Sequence, residues 1–142
     1  MKDYDIRECS NEEADFVIDK LVEYNLSKVA STQEIDFLNI DRVVEDVKGN
    51  IIAGILAKMY CWNCLYIDVL WVEEGYRKDG LGSKLLKEIE NIAIEKECHL
   101  IHLDTFDFQA KDFYIKHGYE VFGVLDECPK KHKRYYLKKL IK

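Results

Sequence analysis

Apolar positions recur along this chain with two different periods, and the switches between them predict the order of elements. Asp3–Cys9 alternates like a short strand. Ser10-Asn-Glu-Glu13 then has the form of a capping box, with Ser10 as N-cap and Glu13 three residues on. Ala14, Val17, Ile18, Leu21 and Val22 follow with the spacing of one helix face, to about Tyr24. Leu26–Phe37 has no clear period and is ambiguous between loop and a second short helix. Asn39–Asp46 and Asn50–Cys61 read as a hairpin turning through Val47-Lys-Gly-Asn50, and Cys64–Val72 as the next strand after a Trp-Asn turn.

The second half is clearer. Leu81, Leu85, Ile89, Ile92 and Ala93 form one stripe of a helix over Leu81–Glu97, with Lys84, Glu88 and Glu95 elsewhere. Leu100–Thr105 reads as a strand and Gln109–His117 as a short helix stopped by Gly118; Tyr119–Leu125 and Lys133–Leu140 are the last two strands. The strands on either side of the Leu81 helix must run parallel through a right-handed crossover, whereas the earlier hairpins are antiparallel. The expected fold is therefore α/β (α+β), a mixed, mostly antiparallel sheet flanked by helices, in a single domain spanning residues 1–142.

Composition narrows the class. At 142 residues, 48% hydrophobic and 34% charged, the chain can build one core without metal or disulfide staples, and no Pro/Gly/Ser-rich stretch marks a linker. The charged start is unlike a signal peptide, and the apolar run Ile51–Ala57 stops at Lys58, far short of a membrane span, so a cytoplasmic enzyme is expected. Five cysteines, an odd number scattered through predicted core elements, argue against a disulfide framework. Cys61-Trp-Asn-Cys64 has the spacing of half a zinc site, but its other half is missing and the segment reads better as a hairpin turn; no metal is expected. His99, His102, His117 and His132 form no ligand pattern, and aromatic Tyr60, Trp62, Tyr66 and Trp71 are core or pocket wall.

Net charge is −6, and residues 1–50 hold 13 of the 27 Asp/Glu but only 6 of the 21 Lys/Arg, so the acidity belongs to the N-terminal part. An acidic face attracts cations. The basic run Lys130–Arg134, with Lys138, Lys139 and Lys142, is read as a solvated turn and an edge strand blunted by lysines, or as a rim for cofactor phosphates, rather than as a nucleic-acid surface.

The most informative stretch joins the strand Cys64–Val72 to the Leu81 helix: Val72-Glu-Glu-Gly-Tyr-Arg77-Lys-Asp-Gly80-Leu-Gly82-Ser83. A helix N-terminus offers unpaired backbone N–H groups and partial positive charge, and glycines let an anion approach them. Neither a Walker ending nor the G-x-G-x-x-G fingerprint is present. What remains is Arg-x-x-Gly-x-Gly, and it is followed by Gln109-Ala110-Lys-Asp-Phe113-Tyr114-Ile-Lys-His-Gly118-Tyr119. Together these resemble the two acyl-CoA segments of the GCN5-related N-acetyltransferase (GNAT) superfamily, over residues 64–140.

The resemblance implies a sheet splayed open between its fourth and fifth strands, Cys64–Val72 and Leu100–Thr105, with acetyl-CoA as cosubstrate in the gap. It implies backbone contacts from Leu70 and Val72 to pantetheine, pyrophosphate contacts from Arg77, Lys78, Asp79, Gly80, Gly82 and Ser83, and further cofactor contacts from Gln109 and Phe113. Asp79 is a departure, since a carboxylate is unhelpful in an anion loop unless it points to solvent or pairs with Lys78. Asp107, where many relatives have asparagine, is another. Tyr114 would face the sulfur as general acid, its phenol suited to protonating a departing thiolate.

Asp68 carries the other half of the chemistry. It is the lone carboxylate in Cys64-Leu-Tyr-Ile-Asp68-Val-Leu-Trp-Val72. Alternation assigns Asp68, Leu70 and Val72 to one face, and an unpaired carboxylate buried there is a stronger proton acceptor than a solvated one. The resemblance adds that amine-acetylating members often carry an acid at this point as general base. The resulting reading is N-acetylation of a primary amine by direct attack on the thioester, the acceptor a small cationic amine. A protein or peptide acetyltransferase and a non-catalytic CoA-binding sensor are the alternatives, and a homodimer follows on the resemblance alone.

Overall fold

A computed structural model describes residues 2–141 and divides them between Ser31 and Thr32 into two compact units. In the first unit, α1 spans Asn11–Lys28 and starts with the expected box: Ser10 Oγ accepts from the Glu13 N–H and the Glu13 carboxylate accepts from the Ser10 N–H. Hydrogen bonds from Arg7, then from the Ser10 backbone, hold the Glu13 carboxyl down to about 2. Two expectations fail here. Residues 3–9 form no strand, because alternation makes a strand only where another offers a ladder, and this unit contains none among the described residues. The helix also runs on past Tyr24 to Lys28.

The second short helix does not form either. The segment after Ser31 binds instead to a neighbouring turn: Thr32 N–H donates to Cys61 O, Cys61 N–H to Asp36 O, and the Gln33 amide to the carbonyls of Ile35 and Met59. Its backbone groups are satisfied across the hairpin rather than along a helix.

The described residues of the second unit form a six-stranded sheet with one α-helix of four turns, one short α-helix and a single 3-10 turn at Glu74–Tyr76. The strands are β1 Phe37–Glu45, β2 Ile51–Tyr60, β3 Cys64–Val72, β4 Leu100–Phe106, β5 Glu120–Asp126 and β6 Lys133–Leu140; α2 covers Leu81–Glu95 and α3 Lys111–Lys116. Their order is β1-β2-β3-β4-β6-β5. Only β3 and β4 pair in parallel, as the intervening helix requires. Ala53, Ile55, Ala57 and Met59 of β2, Leu65 and Ile67 of β3, and Ile101 and Leu103 of β4 join Leu85, Leu86, Ile89 and Ala93 of α2 in one core. Each fully buried Leu or Ile contributes about 1.5–3 kcal/mol by leaving water. The edge reading of Lys133–Leu140 is corrected: β6 lies inside the sheet, and β5 is the edge.

Two irregularities of β3 open the middle of the sheet. Ala57 pairs with Ile67 but Leu56 pairs with Val69, so Asp68 is the extra residue of a β-bulge. The bulge resets the alternation: Leu70 and Val72 pack on the core side with Ile67, while Val69 and Trp71 are exposed. The pairing of β3 with β4 runs from Cys64 and Leu100 only to Ile67 and Leu103. Beyond that point the two strands part.

A buried polar cluster closes the far side of the core. Glu90 of α2 is only 6% exposed and accepts from the Tyr119 hydroxyl at 2.8 Å and from Lys139 Nζ at 3.0 Å; Lys139 also donates to the His117 carbonyl. No helix among the described residues is long and apolar enough to cross a membrane.

Candidate active site

Where β3 and β4 part, a cavity of about 620 Å³ opens between the bulge, the first turn of α2 and the N-terminal end of α3. The fold builds each wall from a local sequence feature. Gly80 sits at φ +75° as the N-cap of α2, a left-handed conformation that favours glycine, and the first turn of α2 then begins at Leu81. Gly82 and Ser83 line the cavity beside it. A Cβ at Gly82 would come to 3.4 Å from the Phe113 ring, so the glycine keeps open a cradle roofed by that ring.

This end suits an anion. It combines unpaired N–H groups at the start of a 15-residue helix with Arg77, whose Nε donates to the Val72 carbonyl at 3.1 Å and so ties the loop to the end of β3. Arg77, Gly80, Gly82, Ser83, Leu70, Val72, Gln109 and Phe113 are all brought to the cavity wall, whereas Lys78 and Asp79 are exposed on the turn outside it. The residues present therefore fit the pyrophosphate and pantetheine of acetyl-CoA. Gln109 does more locally: its Oε1 accepts from Thr105 Oγ1 at 3.0 Å and from the Phe106 N–H at 2.7 Å, fastening the loop after β4.

At the inner end stand Tyr114 and Asp68. Tyr114 is 6% exposed, and burial pushes its phenol up to about 12. Its backbone is pinned by the helix end, where the Tyr119 N–H donates to the Tyr114 carbonyl and the Gly118 N–H to that of Ile115, with Gly118 at φ +92°. Asp68 lines the same cavity but is exposed, contrary to the expectation of a buried carboxylate. The bulge is the reason, since the extra residue is turned out of the ladder. No hydrogen bond or ion pair among the described residues engages its side chain.

The second carboxylate of the cavity, Asp104, differs in kind. One of its oxygens accepts from Arg134 Nε and Nη2 and the other from the Tyr66 hydroxyl at 2.7 Å, so its charge is balanced. Burial, then Asp104, pushes the Tyr66 phenol up to about 12. Sequence reasoning missed Asp104, Thr105, Val69 and Phe108, all of which line the cavity. The signal for Asp104 was a polar residue alternating with apolar ones in β4. Of the aromatic residues read as core or pocket wall, Trp71 lines the cavity while Tyr60, Trp62 and Tyr66 do not. Tyr60 lies 2.7 Å from His102 Nε2, and burial lowers the His102 imidazole. Asp107 is turned to His132, at 2.8 Å, and to the Lys133 N–H. Although burial opposes it, these bonds hold the Asp107 carboxyl below its usual range. Among the described residues no group of three or more His, Cys, Asp or Glu could hold a metal ion.

Comparison with known proteins agrees with this geometry. The acetyltransferase (GNAT) family model matches residues 8–119. An acetyltransferase of Agrobacterium fabrum is 31% identical over 121 residues, 85% of this chain and 84% of that protein. The blasticidin-S acetyltransferase of Streptomyces morookaense is 35% identical over 83 residues, which span 58% of this chain and 60% of that protein. The crystal structure of an acetyltransferase from Bacillus cereus superposes with a TM-score of 0.89 at 40% identity, covering 97% of this chain and 98% of that one. With the glycine cradle, the parted strands and the tyrosine on α3 in one cavity, and with the family model spanning most of its length, the chain belongs to the acetyltransferase (GNAT) family.

Proposed function

We propose that the chain is an acetyl-CoA-dependent N-acetyltransferase whose acceptor is a small cationic amine. The observation that carries this reading is the pairing, in one cavity, of an open carboxylate at Asp68 with a buried phenol at Tyr114, continuous with the anion cradle at Gly80–Ser83. Acetyl-CoA would supply the acyl carbon and a thiolate leaving group. Asp68, unpaired, draws a cationic amine to the cavity; the ammonium sheds one proton to solvent before attack, and Asp68 accepts the second, which nitrogen gives up as it bonds to carbon. Tyr114, kept protonated by its burial, gives a proton to the sulfur as the carbon–sulfur bond breaks. A relative named for blasticidin-S rather than for a protein favours a small acceptor.

The test is release of free thiol from acetyl-CoA with a panel of amines, lysine-bearing peptides and antibiotics. Turnover confined to small amines or antibiotics is expected. Turnover confined to peptides would replace the reading with a protein acetyltransferase, and tight binding of acetyl-CoA without any turnover would replace it with a CoA-binding sensor.

A further inference from the structure

One feature of the cavity rim is unused by the cofactor cradle and by the Asp68 and Tyr114 pair. Phe108, in the turn between β4 and α3, is 61% exposed yet lines the cavity. An exposed phenylalanine on a turn is ordinarily free to move, but this one is held by two neighbouring rings. Its ring stacks on Phe106 with centroids 5.3 Å apart and planes 3° from parallel, and the His132 ring meets it edge-on at 5.5 Å. His132 is in turn fixed by Asp107 at 2.8 Å, and the Arg134 guanidinium lies over the far Phe106 ring at 5.3 Å from its centre. The Asp107–His132 pair, the Phe106 ring and the Arg134 guanidinium behind it thus support a ring that remains largely exposed. Across the parted strands, Trp71 on β3 is 41% exposed and lines the same cavity, on the side that the bulge turned outward.

We infer that Phe108, with Trp71, is a stacking platform for the acceptor, and that the acceptor is an alkylamine that also carries an aromatic ring system. The inference rests on the proposed N-acetyltransferase activity and names the class of its acceptor. Charge and shape both point this way. Asp68 is the open countercharge for the ammonium, Asp104 is already neutralised by Arg134, and Val69, Trp71 and Phe108 present exposed apolar surface on the same cavity wall. An aliphatic polyamine would find one carboxylate and no second site for a distant charge. A flat ring finds a preorganised partner, because the platform is ordered before the ligand arrives and little side-chain entropy is lost on stacking.

The experiment compares phenethylamine with its ring-saturated analogue, cyclohexylethylamine, which has nearly the same shape and basicity but no π face. The intact chain should favour phenethylamine in kcat/KM by about tenfold, the size expected for a ring–ring contact. Phe108→Leu should erase that preference and Phe108→Tyr should keep it, while calorimetry finds the acetyl-CoA affinity of Phe108→Leu within about twofold of the unaltered chain. Equal use of the two amines, or a preference untouched by Phe108→Leu, overturns the platform and leaves the proposed activity standing. A fall in acetyl-CoA affinity matching the loss of turnover also overturns it, by reassigning the ring to the cofactor. Failure to acetylate any amine overturns both.

Discussion

The Ser83 hydroxyl lies 3.0 Å from Nε2 of His117, so a side-chain hydrogen bond joins the first turn of α2 to the residue that ends α3. The Phe113 ring, 4.7 Å from the His117 ring, fills the space under Gly82 in the same junction. The anion cradle and the helix bearing Tyr114 are therefore one mechanical unit. If His117 acts by orienting Ser83, both Ser83→Ala and His117→Leu weaken acetyl-CoA binding a few-fold, and the double variant is no weaker than Ser83→Ala alone. Calorimetric affinities of the three variants check this; additive losses would separate the two residues.

Gly82→Asp should all but abolish acetyl-CoA binding while the fold survives, because it adds bulk beside Phe113 and negative charge where the helix N-terminus attracts anions. Arg77→Ala should act in the same direction but more weakly, since the backbone donors remain. Gly80→Ala acts differently, by forcing a side chain into φ +75° at a cost of about 1–2 kcal/mol. A thermal melt beside a binding isotherm distinguishes the strained variant from the charged one.

Tyr114→Phe keeps the buried ring and loses only the hydroxyl. We expect kcat to fall by roughly 10²–10⁴ with little change in acetyl-CoA affinity. The phenol, pushed up to about 12, stays protonated across the working range, so the pH profile should have no basic limb from this group below about pH 10. Turnover of the Phe variant at the original rate would remove Tyr114 from the chemistry.

Asp68→Asn should lower kcat/KM, because an amide cannot take the amine's proton. Its exposure on the bulge makes the melting temperature insensitive to the change. An Asn variant with an unaltered kcat/KM would show that another group receives the proton.

Glu90→Ala leaves the half-buried Lys139 without its carboxylate and the buried Tyr119 hydroxyl without its acceptor, and an unsatisfied buried polar group costs about 1–3 kcal/mol. Chemical denaturation should register a loss of that order, with Glu90→Gln retaining part of it through the Tyr119 hydrogen bond. A change near zero would mean that the site relaxes or admits water.

The sequence alone was enough for features decided within a few neighbouring residues. Ser10 and Glu13 cap α1, the apolar stripe from Leu81 to Ala93 makes α2, Gly80 starts that helix and Gly118 ends α3, because caps, stripes and turns depend on spacings of three to five positions. From these the glycine-rich start of α2 at Gly80–Ser83 was readable, while Tyr114 was singled out by the family resemblance. Strand partners were not, because a ladder is a relation between distant segments. Residues 3–9 alternate and yet find no strand partner among the described residues of their unit, and Lys133–Leu140 looks like an edge strand but is enclosed by β4 and β5. Asp68 shows the difference most directly. Period-two alternation assigned it to the face of Leu70 and Val72, but one extra residue against β2 turned it into the open mouth of the site. Only the fold could set Arg134 against Asp104 and His132 behind Phe108, since those pairs are distant in sequence and meet through the return of β6 alongside β4.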